Sequence, residues 1–329
     1  MEPLREIRAH ARELAFVLKV LPRLPSAPID RLTRRPVVER VRYPSRDREI
    51  EADLYRPPGR GRHPAIVLCL GVVPFGVEHP QVARLSDALG RAGFVALIHW
   101  SDTMRDLRLA PEDADDIALA YDWMLERDDV DPSRSGLFGT CVGGTFALLA
   151  ASRPLIRDRV TFVGAFAPFS SMWTFARDIA SHSWDDRGTV RPWEVDQITE
   201  KVFSRTVDAF LTTEEARPLR EACDREQADR ALGSLPAAAR ARLDAMSPMT
   251  YLHDIHAPSI VFGHDRDDHV IPVSESRALA LALAGREGVR YTEYAMFKHA
   301  DPKDLAVLPL AREVLRFYGS LYPMFRISA

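Results

Sequence analysis

The sequence predicts an α/β fold: a mostly parallel central sheet with an antiparallel N-terminal hairpin, helices on both faces and a helical cap insertion. Three observations carry this. From about residue 65 onward, short continuous apolar runs alternate with helical stretches, as in a βαβ series. Ahead of that series, two alternating runs at 38–43 and 50–55 flank the charged turn Ser45-Arg46-Asp47-Arg48, which reads as a hairpin. The alternation then stops near Phe169 and resumes only at Ser259.

Each element follows from its local pattern. Residues 65–70 are apolar throughout, as a strand buried on both faces requires. A helix over 82–92, a strand over 94–100 and an amphipathic helix over 111–127 come next. A strand ends at 137–139, a helix covers 142–152 and a strand covers 160–166. Residues 171–245 show no evident strand; they are polar and helical, with Trp173, Trp184 and Trp193 near their start, and are expected to form the cap. A strand at 259–263, a helix near 273–283, a strand at 289–296 and a last helix near 304–318 complete the core. The domains expected are thus an N-terminal helical extension over 1–37, a core over 38–170 and 246–329, and the cap over 171–245.

Leu4, Ile7, Ala11, Leu14, Leu18 and Leu21 recur at helical spacing, so the extension reads as a helix packed on the domain or on a second copy, with a homodimer as a possible outcome. The apolar run 14–21 contains Lys19 and is too short to span a bilayer. Glu2, Glu6 and Glu13 are residues a secretory signal avoids. The formal net charge of -3 gives no general pull towards nucleic acid or an anionic membrane. Cys69, Cys141 and Cys223 form no metal-type cluster, and so sparse a count fits a reducing cytoplasm rather than a disulfide framework. No metal or cofactor is expected.

Residues 135–145 carry the chemistry. An apolar stretch climbs to Gly139, followed by Thr140-Cys141-Val142-Gly143-Gly144 and a helix-like run. A strand, a sharp turn and a helix with G-x-C-x-G at the turn is the geometry that presents a nucleophile, and Gly139 and Gly143 supply the small flanks it needs. The helix N-terminus favours a thiolate. The bland alternative is a buried cysteine in a glycine-rich bend.

A nucleophile of this kind needs a base, and the base an orienting acid. Asp268 lies past the strand at 259–263, in register with Ile271-Pro272; Asp265 and Asp267 are its rivals. His299 lies in the loop past the next strand, where a base can reach the thiol. His264 and His269 flank the acid loop and are expected at the mouth or in solvent. An oxyanion hole needs two backbone N–H groups. Val142 supplies one, and the loop after residues 65–70 the other, with Val72 first and Val73 next. Val73, Phe75, Trp173 and Trp184 are the expected substrate-binding side chains. Cys69 reads as packing, and Cys223 has no role.

These residues resemble the α/β-hydrolase superfamily over about 38–325, and Gly139-Thr140-Cys141-Val142-Gly143-Gly144 with Asp268 and His299 resembles the dienelactone hydrolase family. That resemblance implies a Cys-Asp-His triad and hydrolysis of an ester or lactone through an acyl-cysteine, without a cofactor. The elbow with Thr145 is also similar to the G-x-C-x-G-G-T box of polyhydroxyalkanoate synthases, which are acyl-transfer enzymes. Two enzyme readings follow for a small-molecule ester, lactone or thioester: a hydrolase, and an acyltransferase or thioesterase. A non-catalytic binding protein on the same fold is the third.

Overall fold

The computed structural model describes residues 2–21, 24–46, 48–73, 79–299 and 301–329. Two helices open the chain, α1 (Glu2–Val20) and α2 (Ala27–Leu32), followed by the hairpin β1 (Val37–Ser45) and β2 (Arg48–Arg56). The alternating series is β3 (His63–Cys69), α3 (Pro80–Arg91), β4 (Val95–His99), α4 (Asp102–Arg105), α5 (Asp113–Leu125), β5 (Val130–Thr140), α6 (Val142–Ala151) and β6 (Phe162–Phe166). The insertion holds α7 (Met172–Ala180), β7 (Ser183–Asp186), β8 (Thr189–Pro192), α8 (Gln197–Asp208), α9 (Thr213–Arg220), α10 (Arg225–Gly233) and α11 (Ala237–Ala245). Then come α12 (Pro248–Tyr251), β9 (Ser259–Asp265), α13 (Val273–Ala282), β10 (Val289–Tyr294) and α14 (Val307–Ser328).

Eight strands form one sheet in the order β1-β2-β4-β3-β5-β6-β9-β10. β1 with β2 and β2 with β4 pair antiparallel, and the remaining neighbours are parallel. The chain runs outward from β3 to β4 in one direction and from β5 through β6 to β9 and β10 in the other. That reversal leaves a crevice at the carboxyl ends of β3 and β5, where ligands of such sheets bind. β4 and β9 are buried along their whole length, as strands covered on both faces must be. α6 is buried throughout, because Val142-Gly143-Gly144-Thr145 and the Ala/Leu run after it let it lie flush on the sheet. This is the α/β-hydrolase fold.

Two expectations are corrected. The insertion is not free of strands: β7 and β8 pair across Arg187 and Gly188, both at positive φ (55° and 88°). Those are the angles of a two-residue hairpin turn, and the strands are too short to show in hydrophobic periodicity. α1 docks through a different face from the one its leucines suggest. Leu4, Ile7 and Leu14 are 70%, 65% and 49% exposed, while Ala9, Glu13, Phe16 and Val17 are buried. A smaller stripe lies closer to α3 and α14, and Phe16 meets Phe325 at 5.5 Å between ring centroids.

Candidate functional site

Cys141 stands where β5 ends and α6 begins, with its backbone at φ 56° and ψ −139°. A non-glycine residue there is strained by about 1–3 kcal/mol and persists only where its surroundings dictate it. The flanking glycines do so: a Cβ on Gly139 would come within 2.2 Å of the Gly143 carbonyl oxygen, and one on Gly143 within 2.0 Å of the Cys69 carbonyl oxygen. The Cys141 N–H donates to the Phe166 carbonyl on β6 at 2.7 Å, and the Cys141 carbonyl accepts from the Gly144 N–H at 2.9 Å. The half-buried thiol therefore projects from the strand end into a cavity of about 590 Å³.

His299 follows β10 and also carries a positive φ, 54°. Its Nδ1–H donates to Asp268 Oδ2 at 2.8 Å, and its ring lines the same cavity as the Cys141 thiol and interacts with it electrostatically. Asp268 follows β9, and its Oδ1 accepts from the N–H groups of Val270 and Ile271 at 2.8 and 3.1 Å. Asp265 and Asp267 are engaged elsewhere. Asp265 accepts from the Phe297 N–H at 2.7 Å, and Lys303 bridges both carboxylates at 2.8 Å. Cys141, His299 and Asp268 are thus brought into one line, and the Asp265–Lys303 clamp fixes the loop that carries His299.

Burial opposes charge on both partners, and the charges overcome it. Asp268 is held well below the usual carboxylate range by the charge of His299 and by hydrogen bonds from His264 and His299. His299 is raised well above its ordinary value, against burial, by Cys141 and Asp268. A positive charge on the imidazole is thus stabilised beside an ionised carboxylate.

The structure places His264 differently from expectation. It is fully buried behind the acid, with Nε2 2.9 Å from the Ile271 carbonyl and 3.4 Å from Asp268 Oδ2, and Nδ1 2.6 Å from the Ser276 hydroxyl. Residue type alone does not separate it from His269, which is exposed.

Val142 opens α6, so its N–H is among those without an intrahelical partner, aimed at the elbow. Val72 and Val73 line the same cavity from the loop after β3. Gly71 (φ 73°) lets that loop close on the elbow, since a Cβ there would sit 2.8 Å from the Gly143 nitrogen. Phe75 lies outside the described residues. Trp173 and Trp184 are not among the described lining residues; Trp173 Nε1–H donates to Asp244 at 2.7 Å, and Trp184 belongs to β7. Trp193 is buried and donates to the His269 carbonyl at 3.0 Å. The aromatic wall from the insertion is instead Phe175 and Phe203, with Met172, Ile179 and Val202. Their signal was present as i,i+4 apolar pairs, Phe175–Ile179 and Ile198–Val202, on two amphipathic helices. Among the described residues no group of three or more His, Cys, Asp or Glu could hold a metal ion, and no helix is long and apolar enough to cross a membrane.

No family model matches the chain. A Bradyrhizobium protein named a probable 2-oxo-3-(5-oxofuran-2-ylidene)propanoate lactonase is 32% identical over 160 residues, which is 41% of this chain and 63% of that protein. Among solved structures, a Mycobacterium tuberculosis puromycin-hydrolyzing peptidase aligns over 94% of this chain and 41% of its own, at 18% identity and a TM-score of 0.57. The Pyrococcus horikoshii acylaminoacyl peptidase aligns over 89% of this chain and 40% of its own, at 18% identity and a TM-score of 0.53. The chain therefore spans less than two thirds of each of these proteins, and at such identities the solved structures share its α/β-hydrolase fold.

Proposed function

We propose that the protein is a cysteine-nucleophile hydrolase of carboxylic esters or lactones, similar to the dienelactone hydrolases. The observation that carries this is the strained Cys141 backbone at the end of β5, with His299 lining the same cavity and Asp268 at 2.8 Å behind His299. The likeness to a lactonase supports the same reaction class.

His299 Nδ1–H is bonded to Asp268, so Nε2 takes the thiol proton. The Cys141 sulfur attacks the carbonyl carbon, and the carbonyl electron pair moves onto oxygen. The N–H groups of Val142 and Val72 receive that oxyanion. Collapse breaks the bond to the leaving oxygen, which takes the proton from His299. Water, deprotonated by His299, then attacks the acyl-cysteine; the C–S bond breaks, the acid leaves and the Cys141 sulfur takes back the proton from His299. The lining favours one further reading, since a largely apolar cavity discourages water and leaves the thioester open to alcohols or thiols. The test is mass detection of an acyl adduct on Cys141 with a panel of p-nitrophenyl esters, lactones and acyl thioesters. An adduct on Cys141 that turns over supports the proposal. Turnover with no adduct and no loss in Cys141→Ala refutes it. Inertness of Cys141 towards iodoacetamide, without turnover, would favour the binding-protein reading.

A further inference from the structure

The cavity at Cys141 crosses the carboxyl edge of the sheet and joins two apolar cores that the sheet otherwise separates. On one side its wall is Leu109, Met172, Phe175, Ile179, Val202 and Phe203, all in the core that includes the insertion. On the other its wall is Phe16, Leu21, Val82, Leu85, Phe297 and Phe317, in or against the core beneath α1, α3 and α14. Cys141 and His299 line the same cavity.

Resting on the reading of Cys141 as nucleophile, we propose that the substrate is a neutral ester or thioester with an apolar group on each side of the scissile carbonyl. One group is seated under the insertion and the other in a chamber walled by α1. Polar side chains in the lining are largely engaged within the protein. Thr140 donates to the Leu70 carbonyl at 3.2 Å, Thr199 to the Val270 carbonyl at 3.2 Å and Thr206 to the Val202 carbonyl at 2.6 Å. Asp196 caps α8 by accepting from the Ile198 N–H at 2.8 Å. The lining cations Arg84 and Lys298 are exposed. A charged group drawn into either chamber would lose its water and, among the described lining residues, meet no buried Arg or Lys, while the His299 imidazolium is already paired with Asp268. This separates the proposed substrate from a carboxylate-bearing lactone such as the propanoate named for the Bradyrhizobium protein. α1 is a fixed wall, tied to the last helix by Arg12 donating to the Ser328 carbonyl at 2.6 Å and Arg5 donating to the Arg326 carbonyl at 3.2 Å.

The test uses the Cys141→Ala protein, so binding is read without turnover. Hexyl hexanoate, methyl hexanoate and hexyl acetate each displace Nile red from the cavity. Each buried methylene is worth about fourfold in affinity, so the two-sided ester should bind at least about tenfold more tightly than either one-sided ester. Leu85→Trp and Val202→Trp, each in the Cys141→Ala background, fill one chamber apiece and should weaken different one-sided esters. A two-sided ester that binds no tighter than the better one-sided ester overturns the inference, and so do two filled variants that weaken the same ester. The first comparison holds even if a filled variant fails to fold. Tight two-sided binding without any adduct on wild-type Cys141 would refute the proposed reaction while leaving the two-chamber assignment intact.

Discussion

Replacing Asp268 by Asn tests the core of the chemistry with a change of almost no volume. The carboxylate accepts from the His299 Nδ1–H at 2.8 Å through Oδ2, and from the Val270 and Ile271 N–H groups through Oδ1. In Asn, the amide oxygen takes the Oδ1 position to keep the two backbone donors, which turns the NH₂ towards His299. Nδ1 must then become the acceptor, the ring proton moves to Nε2, and the nitrogen facing Cys141 can no longer take a proton. The imidazolium also loses the counter-charge that raises it. Loss of the correct tautomer costs about 10³–10⁴ in kcat, equivalent to about 4–5.5 kcal/mol of transition-state stabilisation. The assay is burst and steady-state hydrolysis of a p-nitrophenyl ester, with circular dichroism to verify the fold. Asp267→Asn, whose exposed side chain touches only Lys303, should stay within about threefold of wild type, a change of under about 1 kcal/mol. A folded Asp268→Asn variant within tenfold of wild type would refute the argument, as would Asp267→Asn matching it.

Cys141→Ala should abolish turnover and keep the fold, whereas Cys141→Ser should retain a fraction of ester hydrolysis; kinetics on both checks this. Gly143→Ala should abolish the proposed turnover and lower the melting temperature, because its methyl would lie 2.0 Å from the Cys69 carbonyl oxygen. Phe175→Ala and Phe203→Ala should each weaken bulky esters by about 1–3 kcal/mol while sparing an acetyl ester, and Trp173→Ala should show no chain-length dependence, as a kcat/KM series will reveal. Burial pushes the Glu13 carboxyl up to about 8, against the pull of Tyr318 and Arg290. Its folded pKa thus exceeds its unfolded value of about 4.3, so the native state binds the proton more tightly and loses stability as pH rises from about 4.3 to 8. Glu13→Gln should accordingly raise the melting temperature at pH 9 relative to wild type and change it little at pH 4.

The central strands were legible because burial on both faces leaves unbroken apolar runs, the hairpin strands because their residues alternate, and all eight fall where the sequence places them. The elbow was legible because its glycines are dictated by backbone contact rather than by side-chain preference. The turn at Arg187-Gly188 was hidden because its angles come from two residues flanked by strands of four. The α1 face was misread because Glu13 looks like a solvent residue, whereas it lies inward and Leu4 and Ile7 lie outward. The tryptophans misled for a related reason. Size suggested a substrate wall, yet the indole N–H groups of Trp173 and Trp193 are held by Asp244 and the His269 carbonyl within the protein. Which residues share the cavity depends on how α1, α3 and α8, far apart in the chain, are gathered around it, and no local pattern encodes that.

The docking of α1 on α14 sets an order of assembly during synthesis. Residues 2–20 are made some three hundred residues ahead of the helix that receives them, Val307–Ser328. At about 5–20 residues per second, that interval lasts about 15–60 s. Through it the Cys141 elbow and the sheet around it can form while Phe16, Val17 and Leu21 have no finished surface to cover. The growing chain therefore carries an uncovered apolar segment and an open candidate site together. It is in this window, rather than after release, that a holding chaperone would do most for its yield.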